Sequence, residues 1–173
     1  MGSGIATSLI LSGVGVLLKE VTEEFLKAGV GRVTANLQSR VKKGAMREAD
    51  MTRALSLVTP VLDYGRFREA DMVIEAVIES LPLKQSIFAE CEKHCTADCV
   101  LSTNTSTIDI SLVGAKMQRP ERIVGAHFFS PAHIMPLLEI IRTKNTPAQV
   151  GLVQTKESSM YCLQVRPHDH PVP

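Results

Sequence analysis

Short apolar runs of strand character alternate with helical patterns along most of this chain, and that alternation constrains the fold more than any other feature. Val14 to Leu18 is β-branched or apolar and closes at Lys19-Glu20, which reads as a short buried strand. Ahead of it, Ile5 to Leu11 is helix-like, and Gly13 and Gly15 stop that helix. From Thr22 to Lys43, apolar residues recur at threes and fours through Phe25, Leu26, Val33, Leu37 and Val41. Thr22 is a candidate cap for this helix and Gly44 ends it. A second helix is expected near Glu48 to Ser56 and an extended piece at Leu57 to Leu62. Met72 to Val77 is the next strand, and Pro82 starts a helix running to about His94. Strands follow at Val100 to Thr103, Ile123 to Phe129 and Leu137 to Arg142. Strands alternating with helices predict an α/β fold built on a mostly parallel sheet.

Composition narrows the function. The 173 residues suffice for one compact domain, and 45% are apolar against 21% charged, so a core can form. Nineteen basic residues against eighteen acidic ones give a net charge of +1, which argues against a nucleic-acid binder or a membrane-surface protein. Aromatic residues are 4%, too few for base-stacking platforms. No apolar run approaches the roughly 20 residues of a membrane span. Four cysteines are too sparse for a disulfide scaffold and suit a reducing compartment. Cys91, His94, Cys95 and Cys99 look like metal ligands. Cys91 and Cys95 share a helix face and Cys99 begins a strand, so burial is the reading taken and no metal is expected. The segment from Gly151 to Pro173 lacks periodicity and is expected to be a loose, disordered tail beyond a domain at 1–150.

Three sites carry candidate chemistry. Gly2 and Gly4 open a helix and Glu20 ends the strand after it. That spacing suits the last glycine of a dinucleotide phosphate turn and the acid that meets the adenosine ribose. A glycine-started helix with a surface glutamate fits the same residues. A second site is stronger: the apolar run Val124 to Phe129 carries a single histidine, His127, and Leu137 to Ile141 carries a single carboxylate, Glu139. If the two runs fold back antiparallel about a turn centred on His133, residues 127 and 139 pair. A carboxylate among branched aliphatics is costly without a partner, and a histidine held by one is the arrangement of a general base. A structural histidine beside an outward-facing glutamate stays open on spacing alone. The third site is Ser102 to Thr107, hydroxyl and amide residues directly after a strand, where they meet a ligand or cap the following helix.

The strings Gly125-Ala126-His127-Phe128-Phe129-Ser130-Pro131-Ala132-His133-Ile134-Met135-Pro136-Leu137-Leu138-Glu139, Ser102-Thr103-Asn104-Thr105-Ser106, and Val73-Ile74-Glu75-Ala76-Val77-Ile78-Glu79 with Leu83-Lys84 stand in order along the chain. Together they resemble the NAD-binding domain of the 3-hydroxyacyl-CoA dehydrogenase family, especially the dehydrogenase part of plant-like peroxisomal multifunctional β-oxidation proteins. The resemblance runs from Met1 to about Val150. It implies a Rossmann-type doubly wound sheet and NAD-dependent oxidation of a 3-hydroxyacyl-CoA to a 3-ketoacyl-CoA. His127 would be the base and Glu139 the carboxylate orienting it, with Ser106 and Asn104 at the substrate. Gly2, Glu20, Glu79 and Lys84 would contact NAD. Ser130 stands where many members carry asparagine.

The likeness is incomplete. The family's first strand and first two fingerprint glycines have no counterpart here, and neither does its later active-site asparagine. The sheet is therefore expected to be incomplete, with the strands at Val14 to Leu18 and Met72 to Val77 either pairing directly or leaving open edges, and the chain alone to be a poor dehydrogenase. An alternative is a chain without catalysis that at most binds a nucleotide or associates with full-length relatives. A peroxisomal address follows from the resemblance alone, since the chain does not end in Ser-Lys-Leu; otherwise a cytoplasmic one is expected.

Overall fold

The computed structural model of the chain describes residues 1–147 and the backbone of 162–167. The chain forms two compact units, Met1–Tyr64 with Ser130–Met135, and Gly65–Phe129 with Pro136–Pro173.

In the first unit the order is α1 (Gly2–Leu11), β1 (Val16–Lys19), α2 (Glu23–Lys42), α3 (Glu48–Leu55) and β2 (Val58–Val61). Gly13, at φ +81°, turns the chain out of α1, a conformation open to glycine at little cost. The Val14 N–H closes this turn on the Leu9 carbonyl at 3.0 Å, so β1 begins at Val16 rather than Val14. Helix α2 follows the sequence pattern closely. The Thr22 hydroxyl accepts from the Phe25 N–H at 3.2 Å, Glu23 and Glu24 occupy the first turn, and Arg40 and Lys42 the last. Its buried stripe, Leu26, Gly29, Val33 and Leu37, recurs at threes and fours. Val33 and Leu37 join Ala6, Ile10 and Ala54 in a core, against which Val16, Leu18 and Val58 pack. β1 pairs in parallel with β2, Val16 opposite Val58 and Leu18 opposite Pro60. A proline, lacking an N–H, is tolerated on such an edge strand.

In the second unit β3 (Met72–Glu75), α4 (Leu81–His94), β4 (Val100–Thr103), α5 (Ile110–Val113), β5 (Ile123–Phe128), β6 (Leu138–Arg142) and β7 (Cys162–Pro167) follow in order, with single 3-10 turns at Phe67–Glu69, Gly114–Lys116 and Pro120–Arg122. The sheet runs β3-β4-β5-β6-β7. β3, β4 and β5 are parallel, β5 and β6 antiparallel, and β6 and β7 parallel. All four residues of β4 are buried, as in a sheet covered on both faces. β3 stops at Glu75, two residues short of the expected end, because the Glu75 carboxylate accepts the Val77 N–H at 2.7 Å and turns the chain. The hydroxyl-rich stretch after β4 leads to Asp109, whose carboxylate caps α5 by accepting from the Ser111 N–H at 2.8 Å.

Hydrogen bonding thus makes two sheets. β1 and β3 do not pair with each other, and each keeps one open side among the described residues. Within the stretch expected to be a loose tail, Cys162–Pro167 is a strand. Leu163 and Val165 favour extended backbone, and the outer edge of β6 offers unpaired N–H and C=O groups. The remainder of the expected tail lies outside the described residues.

Gly125, at the centre of β5, is where backbone approach is closest. A Cβ there would lie 2.5 Å from Ile110 Cδ1 and 3.1 Å from Ile141 Cβ. Gly125→Ala is expected to destabilise the chain by about 1–3 kcal/mol through overpacking. Chemical denaturation followed by circular dichroism measures this, and an unchanged midpoint would contradict it.

Candidate functional site

β5 and β6 are antiparallel, and their register places His127 opposite Glu139. Both strands are otherwise apolar up to Arg142, with Val124, Ala126, Phe128, Leu138 and Ile140 buried. The two polar side chains meet at the strand ends: His127 Nδ1 lies 3.4 Å from Glu139 Oε2, with the side chains 21% and 32% exposed. The Phe129 ring tilts against the imidazole at a centroid distance of 4.6 Å. A carboxylate at Nδ1 fixes the ring's orientation and favours the proton on that nitrogen, which leaves Nε2 as the basic atom. The turn joining the strands is closed by the N–H groups of Ile134 and Met135, both donating to the Pro131 carbonyl at 2.9 Å. This is the register that the twelve-residue spacing predicts.

Asn104 follows β4 directly. Its backbone N–H donates to the Glu75 carbonyl and its side-chain Oδ1 accepts from the Phe128 N–H, both at 2.8 Å. The second bond ties Asn104 to the residue beside His127 and leaves its amide NH2 as a donor. Ser106 is exposed. The threonines on either side of it, Thr105 and Thr107, both donate to Glu79 Oε1.

Lys84 lies in the first turns of α4 and is 1% exposed. Its ammonium sits 2.8 and 2.9 Å from the Glu75 oxygens and 3.2 Å from Glu79 Oε2. The Thr103 hydroxyl donates to Glu75 Oε2 at 2.7 Å. Glu75 is therefore satisfied by Lys84, Thr103 and the Val77 N–H together. Burial works against ionisation of Glu79, but hydrogen bonds from Thr105, Lys84 and Thr107 hold its carboxyl below the ordinary 4.5. Sequence reasoning singled out Lys84 and Glu79 but passed over Glu75 and Thr103. A signal for Glu75 was present: a carboxylate inside the apolar run Met72 to Val77 needs a buried partner, as Glu139 does.

In the first unit, Gly2 begins α1 and Glu20 follows β1, its N–H donating to the Val61 carbonyl at 3.3 Å. The first turn of α1 carries no acidic residue. Beside it, a Cβ on Gly4 would stand 3.7 Å from His133 Nδ1, a buried nitrogen without a hydrogen-bond partner. Burial, with the charge of Arg40, holds the His133 imidazole below its ordinary value of 6.5.

Residues 1–159 match the family described as 3-hydroxyacyl-CoA dehydrogenase, NAD binding domain. The chain belongs to this family. It is 62% identical over 150 residues to a peroxisomal fatty acid beta-oxidation multifunctional protein of Arabidopsis thaliana and 61% identical over 150 residues to a glyoxysomal one of Brassica napus. Each match covers 87% of this chain and 21% of the relative, so the chain spans about a fifth of the length of these curated relatives. Among solved structures, FadB2 of M. tuberculosis is similar at a TM-score of 0.90 and 37% identity, over 96% of this chain and 59% of that one. The 3-hydroxybutyryl-CoA dehydrogenase of Escherichia coli is similar at 0.89 and 35%, over 96% of this chain and 35% of that one. The fold is the Rossmann-type α/β fold of these dehydrogenases.

For this member of the 3-hydroxyacyl-CoA dehydrogenase family, the buried ion pair is the part of the site most open to a stability test. Lys84→Met leaves the Glu75 carboxylate enclosed without its counter-charge and is expected to cost about 3–5 kcal/mol. Adding Glu75→Gln, which keeps the amide within reach of Thr103 but removes the charge, should recover part of that loss. Urea unfolding of the single and double variants measures both. A double variant no more stable than Lys84→Met would show that the uncompensated charge is not the cause.

Proposed function

We propose that this chain binds NAD and supplies the base for oxidation of a 3-hydroxyacyl-CoA to a 3-ketoacyl-CoA, in a peroxisomal setting like that of its plant relatives. The observation that carries this reading is the pairing of His127 Nδ1 with Glu139 at 3.4 Å. His127 Nε2 takes the proton of the 3-hydroxyl, and the carboxylate of Glu139 stabilises the imidazolium that forms. Ser106, exposed between two anchored threonines, and the Asn104 amide NH2 donate to the substrate oxygen. NAD, when bound, accepts the hydride from C3.

The residues present suit a dinucleotide. Gly2 opens a helix whose first turn is free of acids, so its N–H groups favour an anionic phosphate. The unpartnered Nδ1 of His133 beside that turn is left for a polar group. Glu20 accepts hydrogen bonds from the adenosine ribose. Glu79 reaches the cofactor from a loop fixed by Lys84, whose own ammonium is engaged by the two glutamates. The open sides of β1 and β3 are places where association with a full-length relative would add a strand.

Two measurements test the reading. By calorimetry on the chain, NAD should bind more tightly than NADP, because a 2′-phosphate would face the Glu20 carboxylate; equal or tighter NADP binding would remove Glu20 from the site. In a longer protein carrying these residues and the rest of the dehydrogenase, His127→Ala should lower turnover by roughly 10²–10⁴ with little change in NAD affinity. Glu139→Gln should also slow it and shift the pH–rate profile, since a neutral amide no longer favours the imidazolium. Near-normal turnover in both would place the base elsewhere.

A further inference from the structure

Lys19 and Glu20 stand side by side where β1 ends, the first a cation and the second the acid read above as the adenosine-ribose contact. Side chains alternate between the two faces of a strand. Val16 and Leu18 pack against the core built by α1, α2 and α3, which turns Lys19 to the opposite face. There its ammonium lies over the ring of Tyr64, 4.4 Å from the centroid. The pairing of β1 with β2 brings the two together. Lys19 stands opposite Val61, the Glu20 N–H donates to the Val61 carbonyl at 3.3 Å, and Tyr64 follows in the turn after β2. Among the described residues neither Lys19 nor Glu20 forms an ion pair.

This contact bears on the choice of cofactor. A carboxylate at the end of such a strand accepts hydrogen bonds from the ribose and repels a 2′-phosphate, whereas a cation nearby accommodates that phosphate. Lys19 is the only cation in residues 16–22 and 58–64, which hold β1, β2 and the turns that follow them. A lysine is a point charge on a flexible four-carbon stem and binds phosphate well. Left free, Lys19 would offset the Glu20 carboxylate beside it and could meet a 2′-phosphate. The face of an aromatic ring attracts an ammonium through its quadrupole. Held over Tyr64, the charge is withdrawn from both.

We propose that Tyr64 is a specificity-determining residue: by holding Lys19 on its ring it leaves the Glu20 carboxylate without a counter-charge, and so sets a preference for NAD over NADP. The proposal rests on the reading of Glu20 as the ribose acid. Tyr64 acts through Lys19 and is a positioning residue, so its effect falls on the difference between the two cofactors and not on their common parts.

Proton NMR of the native chain tests the contact itself. The ε-methylene protons of Lys19, lying against the ring, should resonate upfield of those of the other lysines; Tyr64→Leu should abolish the shift and Tyr64→Phe should keep it. Calorimetry with NAD and with NADP then tests the consequence. Tyr64→Leu should lower the ratio of NAD to NADP affinity by about two- to fivefold, the range that an exposed cation–π contact represents. Tyr64→Phe should retain the native ratio, and Lys19→Met added to Tyr64→Leu should restore it, because no released cation then remains. A merely structural role for Tyr64 would weaken both cofactors together and leave the ratio alone. An unchanged ratio in Tyr64→Leu, or native Lys19 protons without the upfield shift, would overturn the proposal while a native preference for NAD keeps Glu20 in the site. A native chain that does not favour NAD would remove Glu20, and this proposal with it.

Discussion

An ammonium enclosed in protein has to be met by carboxylates, and much of the second unit is arranged around the one on Lys84. Desolvating that charge and the one on Glu75 costs several kcal/mol per ion, a loss offset only when geometry is good and every remaining lone pair is met. Here Glu75 ends β3, Lys84 sits near the start of α4, and Thr103 ends β4, so one ion pair brings three elements to one place. The consequence reaches the loop after β4. Glu79 joins Lys84 to the hydroxyls of Thr105 and Thr107, which fixes the segment that presents Ser106 and, two residues earlier, Asn104. The segment carrying Asn104 and Ser106 is thereby positioned by an ion pair that lies on other elements.

His127 is positioned differently, by strand pairing. In an antiparallel pair, opposite residues share a face, and a slip of one residue would send His127 and Glu139 to opposite sides of the sheet. The buried neighbours Val124, Ala126, Phe128, Leu138 and Ile140 forbid that slip, since it would expose an apolar row. Asn104 then ties the end of β4 to Phe128, next to the histidine. Polar side chains gather where β4 and β5 end, at the carboxyl ends where an open α/β sheet meets ligands. The two ends of β4 differ in kind: Asn104 and the Glu79-anchored loop stand after it, and a turn whose Thr96 and Cys99 carbonyls accept from the Arg122 guanidinium stands before it.

Most of the fold can be read from the chain because its signals are local. Thr22 before the stripe of α2, Gly44 after it at φ +70°, and the apolar run of β5 each depend on a few neighbouring residues. The departures occur where a local hydrogen bond outcompetes the ladder. The Val14 N–H closes α1 instead of starting β1, and the Glu75 carboxylate captures the Val77 N–H and ends β3 early. Strand β7 lies in a stretch with no period to announce it, since its partner is the edge of β6 rather than anything nearby in sequence.

By itself, the sequence determined the alternation of strands and helices, the family, and the pairing of residues 127 and 139, because the polar residue in each of two apolar runs and the length of the turn between them leave one favourable register. Only the tertiary structure decided what Lys84 is for. Nothing in its sequence neighbourhood says that a lysine in the first turns of a helix will be buried to 1% exposure, or that Glu75, Glu79 and Thr103 will converge around it. The partners are nine, five and nineteen residues away on separate elements, and a buried charge is recognised by its enclosure, which exists only once those elements have packed.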